Sequence, residues 1–376
     1  MNTSSYAIGL DFGTNSVRAL IVDTGSGAEV GVAVFNYEMG ESGVVVGRDP
    51  NIARQHPADY LKGLQQTIQE AIRLARKTKG FSPAKIIGIG VDTTGSTPIP
   101  VNAEGTPLAL TPAFAKDPDA MAWLWKDHTG HAEAAEITAL AKKIRPQYLA
   151  KCGGTYSSEW FWSKILRCQR AAPKVFKAAY TWVEHADWIP ALLTGTDHPS
   201  TLKRGICAAG HKAMFNPAWG GYPDAKFLAK RRSGWAAQRK TLPDRAYTVA
   251  DAAGGLTDAW AKCLGLPAGI PVAVGAFDAH LGAVGSGIKP GTFVKIIGTS
   301  TCDIAVSPLS KKLPDIPGLC GIVPESVLPG QYGLEAGQSA VGDTFNWFVK
   351  KVRPEGKGHE ELQAEGLKLR PGESGL

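Results

Sequence analysis

Three times in this chain an apolar run delivers a carboxylate or a glycine–threonine pair into a turn. Residues 6–12 (YAIGLDF) run into Asp11-Phe12-Gly13-Thr14-Asn15-Ser16. Residues 292–297 run into Gly298-Thr299-Ser300-Thr301, and the stretch from Pro271 (PVAVGAFDAHLGAVGSG) delivers Asp278 ahead of a small-residue helical segment at 281–287. A glycine without a side chain lets backbone N–H groups approach an anion closely, and the neighbouring hydroxyls add donors. Two such turns, one in each half of the chain, point to phosphate held from two sides. No GxxxxGK[ST] loop is present and no GxGxxG follows a strand, which disfavours P-loop and dinucleotide folds.

The surrounding pattern fits an α/β chain. Residues 16–23 and 29–37 read as two further strands, joined by the turn Thr24-Gly25-Ser26-Gly27, so the chain opens with an antiparallel meander. A helix follows, with Pro57 in its first turn and Tyr60, Leu61, Leu64, Ile68, Ala71, Ile72 and Ala75 at helical spacing. Residues 85–92 (KIIGIGVD) form a nearly continuous apolar strand of the kind buried on both faces. Strand, strand, strand, helix, strand is the opening of a ribonuclease H-like domain. Residues 94–266, rich in tryptophan, read as insertions that build a pocket, and a domain boundary is expected at the Pro267-Ala268-Gly269 turn. The final residues 369–376 read like a loop cut in mid-course, so the second domain is expected to be truncated.

At 376 residues, two domains are expected. No apolar run reaches membrane-span length and the N-terminus lacks a signal-peptide pattern, so a cytoplasmic protein without membrane contact is expected. The six cysteines form no CxxC pair and no zinc-type cluster, and read as reduced thiols. The net charge of +7 and the basic stretch 226–240 raise nucleic acid as a partner. A solvated helical face is the commoner meaning of such a stretch, and a positive field also suits a polyanionic nucleotide.

Asp278, carried between two phosphate-type turns, suits the group that holds an attacking hydroxyl and accepts its proton; a helix cap is the competing reading. Asp11 suits a phosphate-bound Mg2+, against a hairpin Asp that only caps backbone. His280 reads as structural. Taken in order, these three segments resemble the pattern of the FGGY carbohydrate kinases. Residues 90–100 (GVDTTGSTPIP), Leu124-Trp125-Lys126-Asp127-His128-Thr129, Ala209-Gly210-His211-Lys212 and residues 332–339 (YGLEAGQS) narrow the resemblance to members that act on L-ribulose.

The resemblance implies an actin-like, ribonuclease H-like two-domain sugar kinase, with residues 1–266 as the N-terminal domain and 267–376 as an incomplete C-terminal one. It implies ATP-dependent phosphorylation of L-ribulose to L-ribulose 5-phosphate in L-arabinose catabolism, with other 2-ketopentoses as further substrates, and leaves a homodimer open. ATP and Mg2+ are the implied cofactors, with Mg2+ at Asp11 and the ATP phosphates at Gly13, Thr14, Asn15, Gly298, Thr299 and Ser300. The ketose hydroxyls fall to Ser96, Lys212, Asp278 and Glu335, with Asp278 as the base. For Lys212 and Glu335, a surface ion pair is the plain alternative. Asp92 and Arg204 read as braces of the pocket. Trp123, Trp125, Trp160 and Trp162 could stack on a sugar, although such residues are more often core. Nothing after Asp343 resembles an adenosine-cradling loop.

Overall fold

The computed structural model describes residues 4–230, 234–298, 300–338, 340–352 and 358–375. β1 (Tyr6–Phe12), β2 (Ser16–Asp23) and β3 (Glu29–Asn36) pair antiparallel in sequence order. Alternation along β1 and β2 puts Ile8, Leu10, Phe12, Val17, Ala19 and Ile21 in the core. After the short β4 (Arg54–Gln55) comes α1 (Pro57–Ala75). Its start is set by His56, whose ring accepts the Ala58 N–H, and by Pro57 in the first turn. Tyr60, Leu64, Ile68, Ala71 and Ala75 then bury one stripe against the meander. β5 (Ile86–Thr93) returns parallel to β1.

The inserted section holds β6 (Pro98–Val101), β7 (Ala122–Trp123), α2 (His131–Ile144), α3 (Pro146–Ala150), α4 (Phe161–Ala171) and α5 (Pro173–Ala178). It continues through β8 (Thr181–Glu184), α6 (His185–Thr194), α7 (Ile206–Lys212), α8 (Ala225–Ala229), α9 (Trp235–Lys240), β9 (Ala252–Gly255) and α10 (Asp258–Leu264). Much of this section has its own core, in which Trp123, Trp162, Trp182 and Trp235 are buried. The basic stretch forms α8 and α9; Lys226 and Lys230 are exposed, while Trp235 is buried and donates to Gln169.

β10 (Pro271–Ala273) and β11 (Ala276–Phe277) then run one after the other along β5, before α11 (Asp278–Gly285). The first sheet has the order β3-β2-β1-β5-β10-β9, with β11 also on β5. The boundary expected at 267–269 therefore precedes the last two strands of this sheet. A second sheet follows, ordered β12-β13-β15-β14 and built from β12 (Phe293–Ile297), β13 (Thr301–Pro308), β14 (Gly321–Pro324) and β15 (Gln331–Gln338). Helices α12 (Gly342–Trp347) and α13 (His359–Gly366) come after it. Among the described residues, no helix is long and apolar enough to cross a membrane.

The step between β10 and β11 is a tight crossing over α6. A Cβ on Gly275 would stand 2.1 Å from the Ala186 carbonyl oxygen. Backbone cannot yield there without moving either β11 or α6. Gly275→Ala is therefore expected to cost about 1–3 kcal/mol of folding stability, read as a lower chemical-denaturation midpoint. An unchanged midpoint would contradict the close approach.

Candidate active site

The parallel register places the acidic residues. Asp11 on β1 is paired with Asp92 on β5, and Ala276 of β11 is paired with Asp92 from the other side. Two residues on, at the start of α11, stands Asp278. Three carboxylates from three neighbouring strand ends thus gather at one edge of the sheet. Asp278 faces an open cavity of about 520 Å3 bounded by the strand ends, the inserted section and the second sheet. Its carboxylate accepts the N–H of the next residue, Ala279, at 2.6 Å, while the N-cap position of the helix is Phe277. Confinement in the cleft, opposed by that hydrogen bond and reinforced by the Asp11 charge, raises Asp278 to about 6. Asp92 lies deeper. Desolvation first, then the charges of Asp11 and Asp278, push it to about 9, and its Oδ1 is buried without a hydrogen-bond partner. Asp11 is bonded to Arg18 at 2.8 Å.

Two hairpin turns flank this edge. In the first, the Gly13 N–H closes on Ser16 O at 2.9 Å; in the second, the Gly298 N–H closes on Ser300 O at 2.8 Å. These two N–H groups close the turns themselves. Thr14 is turned to the cavity and is well braced. Gln55 donates to the Thr14 carbonyl at 2.7 Å, Tyr60 donates to Gln55 at 2.6 Å, and the Trp125 indole donates to the Thr14 hydroxyl at 3.0 Å. With that oxygen already accepting, the Thr14 O–H is oriented as a donor. Gly298 and Ser300 line the opposite side of the cavity, whereas Thr299 lies outside the described residues. Asn15 points away and donates to Ser42 O at 2.7 Å.

The remaining wall carries a buried ion pair. Lys212 at the end of α7 donates to Glu335 on β15 at 2.7 Å. Burial alone would strip the lysine of its charge, but Glu335 more than offsets this and holds the ammonium above its ordinary value. Burial likewise opposes the Glu335 charge, yet Lys212 and then His211 keep the carboxylate well below its usual range. The surface-pair alternative is thus replaced by an interior one that lines the cavity. Lys212 also stands 5.4 Å from the Trp160 ring centroid.

Lys212, Asp278, Glu335, Thr14, Gly298 and Ser300 share the cavity, and Asp11 is near enough for its charge to act on Asp278. Ser96 does not join them. It is fully buried, its hydroxyl donates to Glu184, and its carbonyl accepts Lys164 at 2.7 Å. Its neighbours Thr94 and Gly95 line the cavity instead. Arg204 is buried and donates to Trp182 O at 2.8 Å, a brace away from the cavity. Of the four tryptophans, Trp123 and Trp162 are core, while Trp125 and Trp160 reach the cavity. Cys302, Cys320 and Gln338 also line it and were not anticipated. Their place follows from the pairing of β13, β14 and β15, a register that local sequence pattern does not reveal.

A ribonuclease H-like sheet, a second sheet beyond it and a carboxylate between two hairpin turns define the actin-like architecture of sugar kinases. Residues 6–285 match the N-terminal domain of the FGGY family of carbohydrate kinases, and residues 293–371 match its C-terminal domain. The chain belongs to that family. It is 47% identical to a ribulokinase of Vibrio parahaemolyticus over 346 residues, covering 91% of this chain and 60% of that protein. It is 39% identical to a ribulokinase of Shouchella clausii over 391 residues, covering 99% of this chain and 67% of that protein. The chain thus spans less than two thirds of the Vibrio relative. In fold it is similar to xylulose kinase from Rhodospirillum rubrum, with a TM-score of 0.73 at 23% identity over 98% of this chain and 68% of the other. Glycerol kinase from Plasmodium falciparum gives a TM-score of 0.73 at 15% identity over 97% of this chain and 67% of the other.

The raised Asp92 makes stability depend on pH. An unfolded aspartate loses its proton near pH ~4, whereas the folded Asp92 keeps its own to about 9. Unfolding between those values releases a proton, so stability falls as pH rises through that window. Asp92→Asn, which cannot titrate, removes this dependence. Thermal midpoints of the wild type should therefore fall more steeply than those of Asp92→Asn from about pH 5 to about pH 8. Parallel curves would contradict the crowding of the three carboxylates.

Proposed function

We propose that this chain carries the sugar site and the phosphoryl-transfer carboxylate of an ATP-dependent ketopentose kinase. Its reaction is phosphorylation of the terminal hydroxyl of L-ribulose, giving L-ribulose 5-phosphate and ADP, within L-arabinose breakdown. The observation that carries this reading is the Asp278 carboxylate, which faces the same cavity as the two hairpin turns and the Lys212–Glu335 pair. The relatives that bear the name ribulokinase support the choice of sugar.

An open-chain ketose presents hydroxyls and a carbonyl, and Lys212 and Glu335 offer donors and acceptors that a wrong sugar would leave unpaired. Asp278 accepts the proton of the terminal hydroxyl as its oxygen bonds to the γ-phosphorus and the bond to the β-phosphate oxygen breaks. With its affinity for a proton raised, Asp278 is a better base than an ordinary aspartate, while staying largely ionised at neutral pH. The Thr14 and Ser300 hydroxyls donate toward phosphoryl oxygens from the two turns. Asp11 and the partnerless Oδ1 of Asp92 fit a Mg2+ accompanying the nucleotide, the buried orphan oxygen being the kind a cation satisfies. When bound, that ion would neutralise charge on the phosphates.

Calorimetry and ADP-coupled turnover with MgATP, run across L-ribulose, D-ribulose, L-xylulose and D-xylulose, test the reading. Saturable L-ribulose binding and L-ribulose-dependent ADP release are expected. Asp278→Asn should lower kcat by about 10²–10⁴-fold with sugar binding retained. A variant of near wild-type rate removes Asp278 from this role, and a protein that binds no ketopentose overturns the sugar assignment.

A further inference from the structure

Lys212 has to present its ammonium at one place on the cavity wall, yet it is the last residue of a short helix, α7. The final carbonyls of a helix have no partner within it. Here three aromatic side chains supply the donors. The Tyr156 hydroxyl donates to the Lys212 carbonyl at 2.5 Å, the Trp162 indole to Ala213 O at 2.9 Å and the Trp219 indole to Met214 O at 3.0 Å. Met214 is buried and takes a φ of +56°, where glycine is the usual residue. The backbone just past Lys212 therefore turns in a conformation that a methionine does not favour, and the three donors hold it there.

Tyr156 does more than the two indoles. Its buried hydroxyl also accepts the Trp162 N–H at 3.1 Å. That N–H belongs to the first turn of α4, where no carbonyl of the helix can reach it. A phenol has one proton to give and lone pairs to receive, so this one oxygen ties the start of α4 to the end of α7.

The same segment also flanks the far end of the lysine. The Tyr156 and Trp160 rings meet edge to face at 5.1 Å, and the Lys212 ammonium stands 5.4 Å from the Trp160 ring centroid. Its third neighbour is Glu335, at 2.7 Å. Residues 156–162 thus hold Lys212 by its backbone and stand beside its charge, although Tyr156 itself does not line the cavity.

We propose that Tyr156 is a positioning residue for the sugar site: by holding the Lys212 carbonyl against the start of α4, it sets where the ammonium meets Glu335 and the ligand. The consequence for a sugar rests on the ketopentose reading, whereas the placement of Lys212 does not.

Tyr156→Phe keeps the ring and its edge contact and removes the hydroxyl alone. Trp219→Phe is the matched control, since it takes a donor from a carbonyl two residues further on. Either loss at a buried carbonyl lowers the thermal midpoint, so Lys212 itself must be observed. In 1H–15N spectra of the lysine ammonium groups, the Lys212 signal is identified by its absence from Lys212→Arg. Tyr156→Phe should shift that signal, and Trp219→Phe should leave it in place. By calorimetry, Tyr156→Phe should weaken L-ribulose binding about tenfold, the worth of one hydrogen bond from a charged donor, while Trp219→Phe stays within about twofold of wild type. An unshifted Lys212 signal in Tyr156→Phe, or sugar binding weakened equally by both variants, overturns the proposal. Should the wild type bind no ketopentose, the functional reading fails, and the lysine signal still decides the role of Tyr156.

Discussion

The Lys212–Glu335 pair is the contact on which the shape of the cavity depends. Two charges taken out of water gain little net stability from each other, but removing one partner typically costs about 3–5 kcal/mol because the other is left uncompensated. The pair therefore acts less as glue than as a condition: α7 from the inserted section and β15 from the second sheet must come together, or neither charge can be buried. Once they do, the cavity has one polar wall that is ionised on both sides and a floor of strand ends. A polyhydroxylated ligand suits that wall, since it can replace the water that would otherwise reach the charges.

The opposite requirement operates at the floor. Asp11, Asp92 and Asp278 are brought together by strand register; Arg18 bonds Asp11 and weakly favours the charge on Asp92, and Lys212 does the same for Asp278, but neither offsets their burial. The raised Asp92 and Asp278 express burial first and the repulsion among the three carboxylates second. One end of the cavity is thus settled internally, while the other is poised to take a proton or a cation. That asymmetry is what phosphoryl transfer to a sugar asks for: a rigid grip on the acceptor, and unsatisfied negative charge where proton and metal are handled.

Much of the fold was legible because local pattern sufficed. The apolar runs of β1 and β5, the helical stripe of α1 with Pro57 at its start, and the turns at Gly13 and Gly298 all follow from residues close in sequence. Asp278 stood out by the apolar strand that delivers it between two turns, and Lys212 and Glu335 by resemblance to a family; that the last two pair with each other did not. What could not be read was how polar groups are spent once the chain folds. The Ser96 hydroxyl goes to Glu184, a residue 88 positions away. Gly13 uses its N–H within its own turn. Buried Lys164 serves the carbonyls of Ser96, Trp123 and Leu124, and Arg54 pairs with Asp127 inside the inserted section. Each depends on long-range partners that composition and periodicity leave open.

The most direct measurement is a crystal structure of this chain soaked with L-ribulose. The ketose is expected inside the cavity, its terminal hydroxyl within about 2.6–3.2 Å of the Asp278 carboxylate and its other polar groups on Lys212 and Glu335. A sugar bound elsewhere, or one lying in the cavity with no hydroxyl toward Asp278, would contradict it.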